Sequence, residues 1–211
     1  MLTSEYLLTS KRNWKIWGNR RFRYKLIAWF CITVGILAFL PFFFQYIEHR
    51  KGKSIQDPLL GLLKPVDFSI PIFIIIWSNA FMILLSFIRD GRILLRFMAS
   101  YSLVTMLRLV LIYCIPLEPP NGLIPLKDPL SNSFYGSTFI TKDLFFSGHT
   151  STLFLIFLCL ENKKTRLFSV VGTCIVAFLL LFQHVHYTID IIFAFPFAFL
   201  CYLVAKKITE R

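Results

Sequence analysis

Apolar residues run almost unbroken over 26–47, 68–88 and 93–115, and polar residues cluster between these runs. A helix needs about 20 residues to cross the hydrocarbon core of a bilayer, so each run predicts one transmembrane helix. The second half is less regular. Residues 148–160 form a short run, 167–184 an adequate one, and 187–205 follows almost at once. The pattern predicts an all-α fold, a polytopic membrane bundle of six transmembrane helices. The short fourth span is expected to be completed by 161–165, whose lysines can snorkel. The chain then divides into a basic N-terminal segment (1–25), a six-helix transmembrane domain (26–205) and a short tail (206–211). Neither a Gly/Pro/Ser-rich linker nor an internal repeat interrupts it.

Composition agrees with this class. The chain has 211 residues, 56% of them hydrophobic, where soluble domains sit near about 45–50%. Phenylalanine alone supplies 24. Cys31, Cys114, Cys159, Cys174 and Cys201 all fall in apolar spans without a CxxC pair, so they read as small buried hydrophobes. The net charge is +12, which in a soluble protein would suggest nucleic acid. Here the basic residues lie between spans, with no polar surface of interleaved aromatics, and nucleic-acid binding is excluded.

The distribution of that charge sets an orientation. Lys and Arg number sixteen in 1–25, 89–96, 161–166 and 206–211, against six in 48–67 and 116–148. The positive-inside rule then predicts a multi-pass protein with both termini cytoplasmic. The first span is too long for the apolar core of a signal peptide and is expected to stay as an anchor. His149 begins the fourth span, His186 ends the fifth and Asp190 begins the sixth. All three are thereby expected at the extracytoplasmic or lumenal edge.

Ionisable groups at membrane depth are costly and ask for a functional reason. In His186-Tyr187-Thr188-Ile189-Asp190 the histidine and aspartate are four apart and share a helix face. The carboxylate can fix the imidazole tautomer and raise the nucleophilicity of the other ring nitrogen. The plain alternative is a polar pair capping the sixth helix, with Asp favoured by the dipole. In Asp143-Leu144-Phe145-Phe146-Ser147-Gly148-His149-Thr150, Ser147 is a candidate helix N-cap and Gly148 permits close approach of a ligand. Free amides at a helix N-terminus form a phosphate site, and a histidine there can act as general acid and base. Two histidines and an aspartate suffice to move a phosphoryl group through a covalent intermediate. His149, His186 and Asp190 are therefore the candidate catalytic residues.

Arg108 lies about two turns below the outer end of the third span. A planar guanidinium there suits phosphate; the alternative is an ion pair with Asp190 or Asp143. Arg108, Asp143, Ser147, Gly148 and Tyr187 form the candidate substrate-binding set. His184 is expected at the interface rather than in catalysis, and His49 in a solvated loop. The histidine spacing predicts no metal, and no cofactor is expected. The Pro-rich segment 116–147 cannot be one helix and is long enough to roof the site. Its Glu118, Asp128, Asp143 and Tyr135 could meet a cationic head group, or simply be solvated.

Both motifs resemble those of the sphingomyelin synthase-like branch of the type 2 phosphatidic acid phosphatase superfamily. Asp143 to Thr150 matches its Asp-x-Leu-aromatic-Ser-Gly-His-Thr pattern, and His186 to Asp190 its His-Tyr-Thr-hydrophobic-Asp pattern. Residues 96–120 resemble its third-span motif more loosely, and 56–67 resemble its segment between spans one and two. The resemblance implies six spans, a lumenal or extracytoplasmic site, and a triad in which His186 becomes phosphohistidine, Asp190 supports it, and His149 transfers protons. It also implies transfer of phosphocholine or phosphoethanolamine from a glycerophospholipid to ceramide. The chain lacks the sterile-alpha-motif domain and long tails of animal members. It also lacks the Ser-Arg pair that precedes the nucleophile in soluble and lipid phosphate phosphatases, having Leu180-Leu181-Phe182-Gln183-His184-Val185 there. A phosphatase using water as acceptor would need the same triad, and both reactions stay open. A non-catalytic membrane protein or transporter would predict broken helices and inverted repeats, which the sequence does not display.

Overall fold

The computed structural model describes residues 16–126 and 140–211. Its elements are helical: α1 (Arg20–Glu48), a short α2 (Pro58–Leu62), α3 (Ser69–Arg89), α4 (Gly91–Cys114), α5 (Gly148–Cys159), α6 (Lys163–Phe182) and α7 (Thr188–Glu210). No strand occurs among the described residues; the nearest approach is a single parallel bridge between Lys53 and Leu117. Helices α1, α3, α4, α6 and α7 are long and apolar enough to cross a membrane.

Exposure follows bilayer logic. Ile70 and Ile88 are 76% and 77% exposed, whereas Asn79, Ser100, Ser102, Ser151, Ser169 and Thr173 are wholly buried. Lipid tails are as apolar as the side chains they meet, so helices associate through small residues and polar contacts instead. Ser102 and Thr33 share a hydrogen bond of 2.8 Å between α4 and α1. A methyl group on Gly172 would come within 2.9 Å of Ile75, so this glycine lets α6 approach α3 closely. Together these features define an integral membrane helical bundle.

The fourth span departs from expectation. Helix α5 has only 12 residues, or about 18 Å of rise, and ends at Cys159. Residues 161–165 do not extend it. Asn162 caps α6 instead, its side chain accepting from the amides of Lys164 and Thr165, and Lys163 starts that helix. A hydrocarbon core of about 30 Å leaves α5 short of spanning by roughly 12 Å. Arg108 lies six residues before the end of α4, so about 9 Å from it. Two boundaries also move outward: α1 is already helical from Arg20, and α7 continues through Glu210.

The loops that close this end are tied to one another. Gly52 sits so near Leu117 that a Cβ would fall 2.5 Å from the Leu117 carbonyl carbon, and only glycine fits. Glu48 accepts from the amides of Thr141 and Lys142, at 2.9 and 3.2 Å, and so anchors the segment entering α5. Glu118, considered above for a cationic head group, instead accepts from the Gly52 amide (2.7 Å) and pairs with Lys142 (3.1 Å). The Gly52 bond, against burial and with help from Lys142, holds its carboxyl below the usual range. Asp128 and Tyr135 lie outside the described residues.

Candidate active site

The two histidine motifs meet through the backbone. The Ser147 amide donates to the Asp190 carbonyl at 3.1 Å, which joins the start of α5 to the first turn of α7. Ser147 is fully buried and caps α5: its Oγ accepts the Thr150 amide (3.4 Å) and donates to Thr150 Oγ1 (3.1 Å). Its carbonyl takes the Ser151 amide. Gly148 is the first residue of that helix, at the end where backbone amides point outward.

Arg108 reaches that end from α4. Its Nε donates to the Phe146 carbonyl (2.8 Å) and its Nη2 pairs with Asp143 (2.6 Å). The guanidinium lies flat on Gly148, where a Cβ would come within 2.6 Å of Nη1. Of the two ion pairs the sequence allowed, the one with Asp143 forms. A guanidinium over a glycine at a helix N-terminus is a ready seat for an anion. His149, the second residue of that helix, is half-buried with its ring edge-on to Phe73 at 6.4 Å.

His186 and Asp190 are 2% and 0% exposed. Nδ1 of His186 is 3.4 Å from Asp190 Oδ2, within reach of a charge pair but outside hydrogen-bond geometry. Asp190 Oδ2 already accepts from the Tyr187 amide at 3.0 Å. Nδ1 and Asp190 Oδ1 are buried without a hydrogen-bond partner among the described residues. Native proteins seldom tolerate two such atoms side by side, and they concentrate at reactive sites. Since Nδ1 faces the carboxylate, Nε2 is the ring nitrogen on the side away from Asp190.

Other residues hold this pair in place. Tyr187 is buried; its hydroxyl donates to the Glu118 carbonyl (3.0 Å) and accepts from the Ile55 amide (3.3 Å), so it ties loops together. His184, expected at the interface, is also buried, at a positive φ of 54°. Its ring nitrogens face the carbonyls of Asn121 (2.8 Å) and Leu63 (3.2 Å). Gln183 is fully buried and bridges Ser69 (2.9 Å) and the Phe68 amide (3.2 Å).

Asp57 has a role that its sequence, Asp57-Pro58, signals as an N-cap followed by proline. It caps α2 through the amides of Leu59 and Leu60, and also takes the Thr188 amide (2.7 Å) and hydroxyl (3.0 Å). One carboxylate therefore orders the starts of both α2 and α7. Burial pushes this carboxyl up, but the bonds from Thr188, Leu60 and Leu59 outweigh it and hold the group low. In the unfolded chain Asp57 binds its proton more readily, so its contribution is present at neutral pH and is lost as pH falls through roughly 5 and below. Asp57→Asn should lower the thermal unfolding midpoint at pH 7 and flatten its decline between pH 6 and 3, as followed by tryptophan fluorescence in detergent. A decline as steep as wild type would show that other carboxylates carry it.

The fold is thus an apolar membrane bundle in which Arg108, His149, His186 and Asp190 sit on the segments around the starts of α5 and α7. Residues 142–207, which include both motifs, match the family model for the PAP2 superfamily C-terminal region. The match covers about a third of the chain and supports a place in the PAP2 superfamily, with activity of the lipid phosphatase or phosphotransferase type. No curated protein gives a significant match.

Proposed function

We propose that this protein is a lipid phosphotransferase. It moves a phosphocholine or phosphoethanolamine head group from a glycerophospholipid to a lipid hydroxyl of the ceramide type. The observation that carries this reading is the junction of the two motifs: Ser147 bonded to Asp190, with Arg108 lying on Gly148. Arg108 and the positive end of the α5 dipole at Gly148 hold the phosphate oxygens. Nε2 of His186 attacks phosphorus, and the bond from phosphorus to the glycerol oxygen breaks with its electron pair. His149 gives that oxygen a proton, leaving diacylglycerol and a head group on His186. His149 then takes the proton of the acceptor hydroxyl, whose oxygen displaces His186 from phosphorus. Asp190 supports the imidazole in both halves. By the charge distribution, both termini are cytoplasmic and the site opens on the extracytoplasmic or lumenal side.

A phosphatase with the same triad is the second reading, favoured by the superfamily match. Against it, Gln183 and His184 occupy the stretch before the nucleophile and bind the surrounding loops, leaving no Ser-Arg pair for a phosphomonoester. Purified protein in liposomes with head-group-labelled phosphatidylcholine or phosphatidylethanolamine, with and without ceramide, separates the two. Acceptor-dependent transfer of label is expected. Release of inorganic phosphate from phosphatidic acid, with no transfer to ceramide, would support the phosphatase instead.

A further inference from the structure

The opposite end of the bundle holds a cationic cavity. It has a volume of about 550 Å³, within the size range of small-molecule sites. It is lined by the start of α1, the start of α4 and the end of α7. Among the described residues, Arg21, Lys25, Arg92, Arg96 and Arg211 line it, against one carboxylate, Glu210. Asp190 and Glu210 lie at the two ends of α7, about 30 Å apart along its axis, so this cavity is separate from the histidine site.

The cations are incompletely matched. Arg96 pairs with Glu210 through Nη2 (2.9 Å), and the Tyr202 hydroxyl shares its guanidinium. Its Nε is nevertheless buried without a hydrogen-bond partner among the described residues. Lys25 is engaged by the carbonyls of Ile208 (3.0 Å) and Thr209 (3.3 Å) at the end of α7. Arg92 pairs with Asp90 (3.1 Å), yet its side chain remains 47% exposed. Trp17 packs at the same place, its ring 3.2 Å from where a Gly91 Cβ would stand. It is 41% exposed, and Tyr24 is 70% exposed. Half-exposed Trp and Tyr mark the level of lipid head groups.

We propose that this cavity binds one phosphate-bearing anion, the chemistry shared by an anionic phospholipid head group and a free phosphate ester, and that Arg21 and Arg92 are its main cationic contacts. Basic pockets between transmembrane helices are a recurrent solution for anionic lipids. The proposal does not rest on the reaction suggested for the histidine site.

Native mass spectrometry of the full chain in detergent tests it, with dioctanoyl phosphatidylglycerol, dioctanoyl phosphatidylcholine and glycerol 3-phosphate as probes. One phosphatidylglycerol should be retained with about tenfold preference over phosphatidylcholine, and Arg21→Gln/Arg92→Gln should lose about tenfold of that affinity. Efficient competition by glycerol 3-phosphate would assign the site to free phosphate esters; none would assign it to lipid. Equal retention of both lipids would overturn the proposal. So would unchanged affinity in a double variant that unfolds at the wild-type temperature. Should the variant not fold, the wild-type preference must still shrink as salt rises, because screening shortens from about 10 Å at 0.1 M to about 3 Å at 1 M. A salt-independent preference would also overturn the proposal.

Discussion

Replacing His186 by alanine is expected to slow head-group release from phospholipid by at least about 10⁴-fold, the scale seen when a covalent nucleophile is removed. The fold should survive. Nδ1 of His186 makes no hydrogen bond among the described residues, so its loss orphans no acceptor there. It even relieves a buried donor placed 3.4 Å from a carboxylate that it does not properly engage. Under the proposed mechanism, a group buried unsatisfied at a cost of about 1–3 kcal/mol is kept for its chemistry. Asp190→Asn should cost less, about 10²–10⁴-fold, by losing the charge that supports the imidazole. It also touches the fold, since Oδ2 caps α7 through the Tyr187 amide. The decisive measurement is the enzyme adduct. With donor labelled in the head group and no acceptor, wild type should carry label, His149→Ala should acquire it slowly, and His186→Ala should acquire none. Labelled His186→Ala would remove this residue from the nucleophile's role.

The bundle was legible because bilayer crossing leaves long apolar runs, and five of those runs are helices of full length. The fourth was misjudged at its lower end. Lysines at 163 and 164 can snorkel from either of two helices, and hydropathy does not say which. What decided it was a cap: Asn162 starts α6, and an asparagine before Lys-Lys-Thr carries that signal. The candidate site was proposed from its residue types, because histidine, aspartate and arginine are rare at membrane depth. Which carboxylate would meet Arg108 was not legible, since Asp143 and Asp190 were both at hand. The supporting residues were the least visible. Glu48, Glu118 and Gln183 act across 66 to 115 positions of sequence, and no local pattern marks such pairings. Tyr187 and Ser147 looked like substrate contacts because they lie inside the motifs. Both are buried: the Ser147 amide joins the two motifs at Asp190, and the Tyr187 hydroxyl ties the loops at Glu118 and Ile55.

Arg108→Ala should reduce turnover by about 10²–10³-fold, the usual loss when one charged donor to a developing anion is removed. Its side chain is only 11% exposed, and the structure gives it two jobs that different substitutions separate. One is to hold the segment before α5, through Asp143 and the carbonyl of Phe146, a residue that is itself fully buried. The other is to present charge over Gly148, beside the α5 amides. Alanine removes both, and the orphaned Phe146 carbonyl and Asp143 carboxylate should together lower stability by about 1–3 kcal/mol. Lysine keeps the charge but cannot form the planar fork, so it should recover part of the stability and little of the rate. Asp143→Asn removes the ion pair while leaving the guanidinium, so it should loosen the segment and retain more activity than either. If Arg108 only braces the fold, activity across the three variants will track their thermal unfolding midpoints. If it holds phosphate, the lysine variant will fall far below that line. The loss will then appear in kcat/KM for the phospholipid, whatever acceptor completes the reaction.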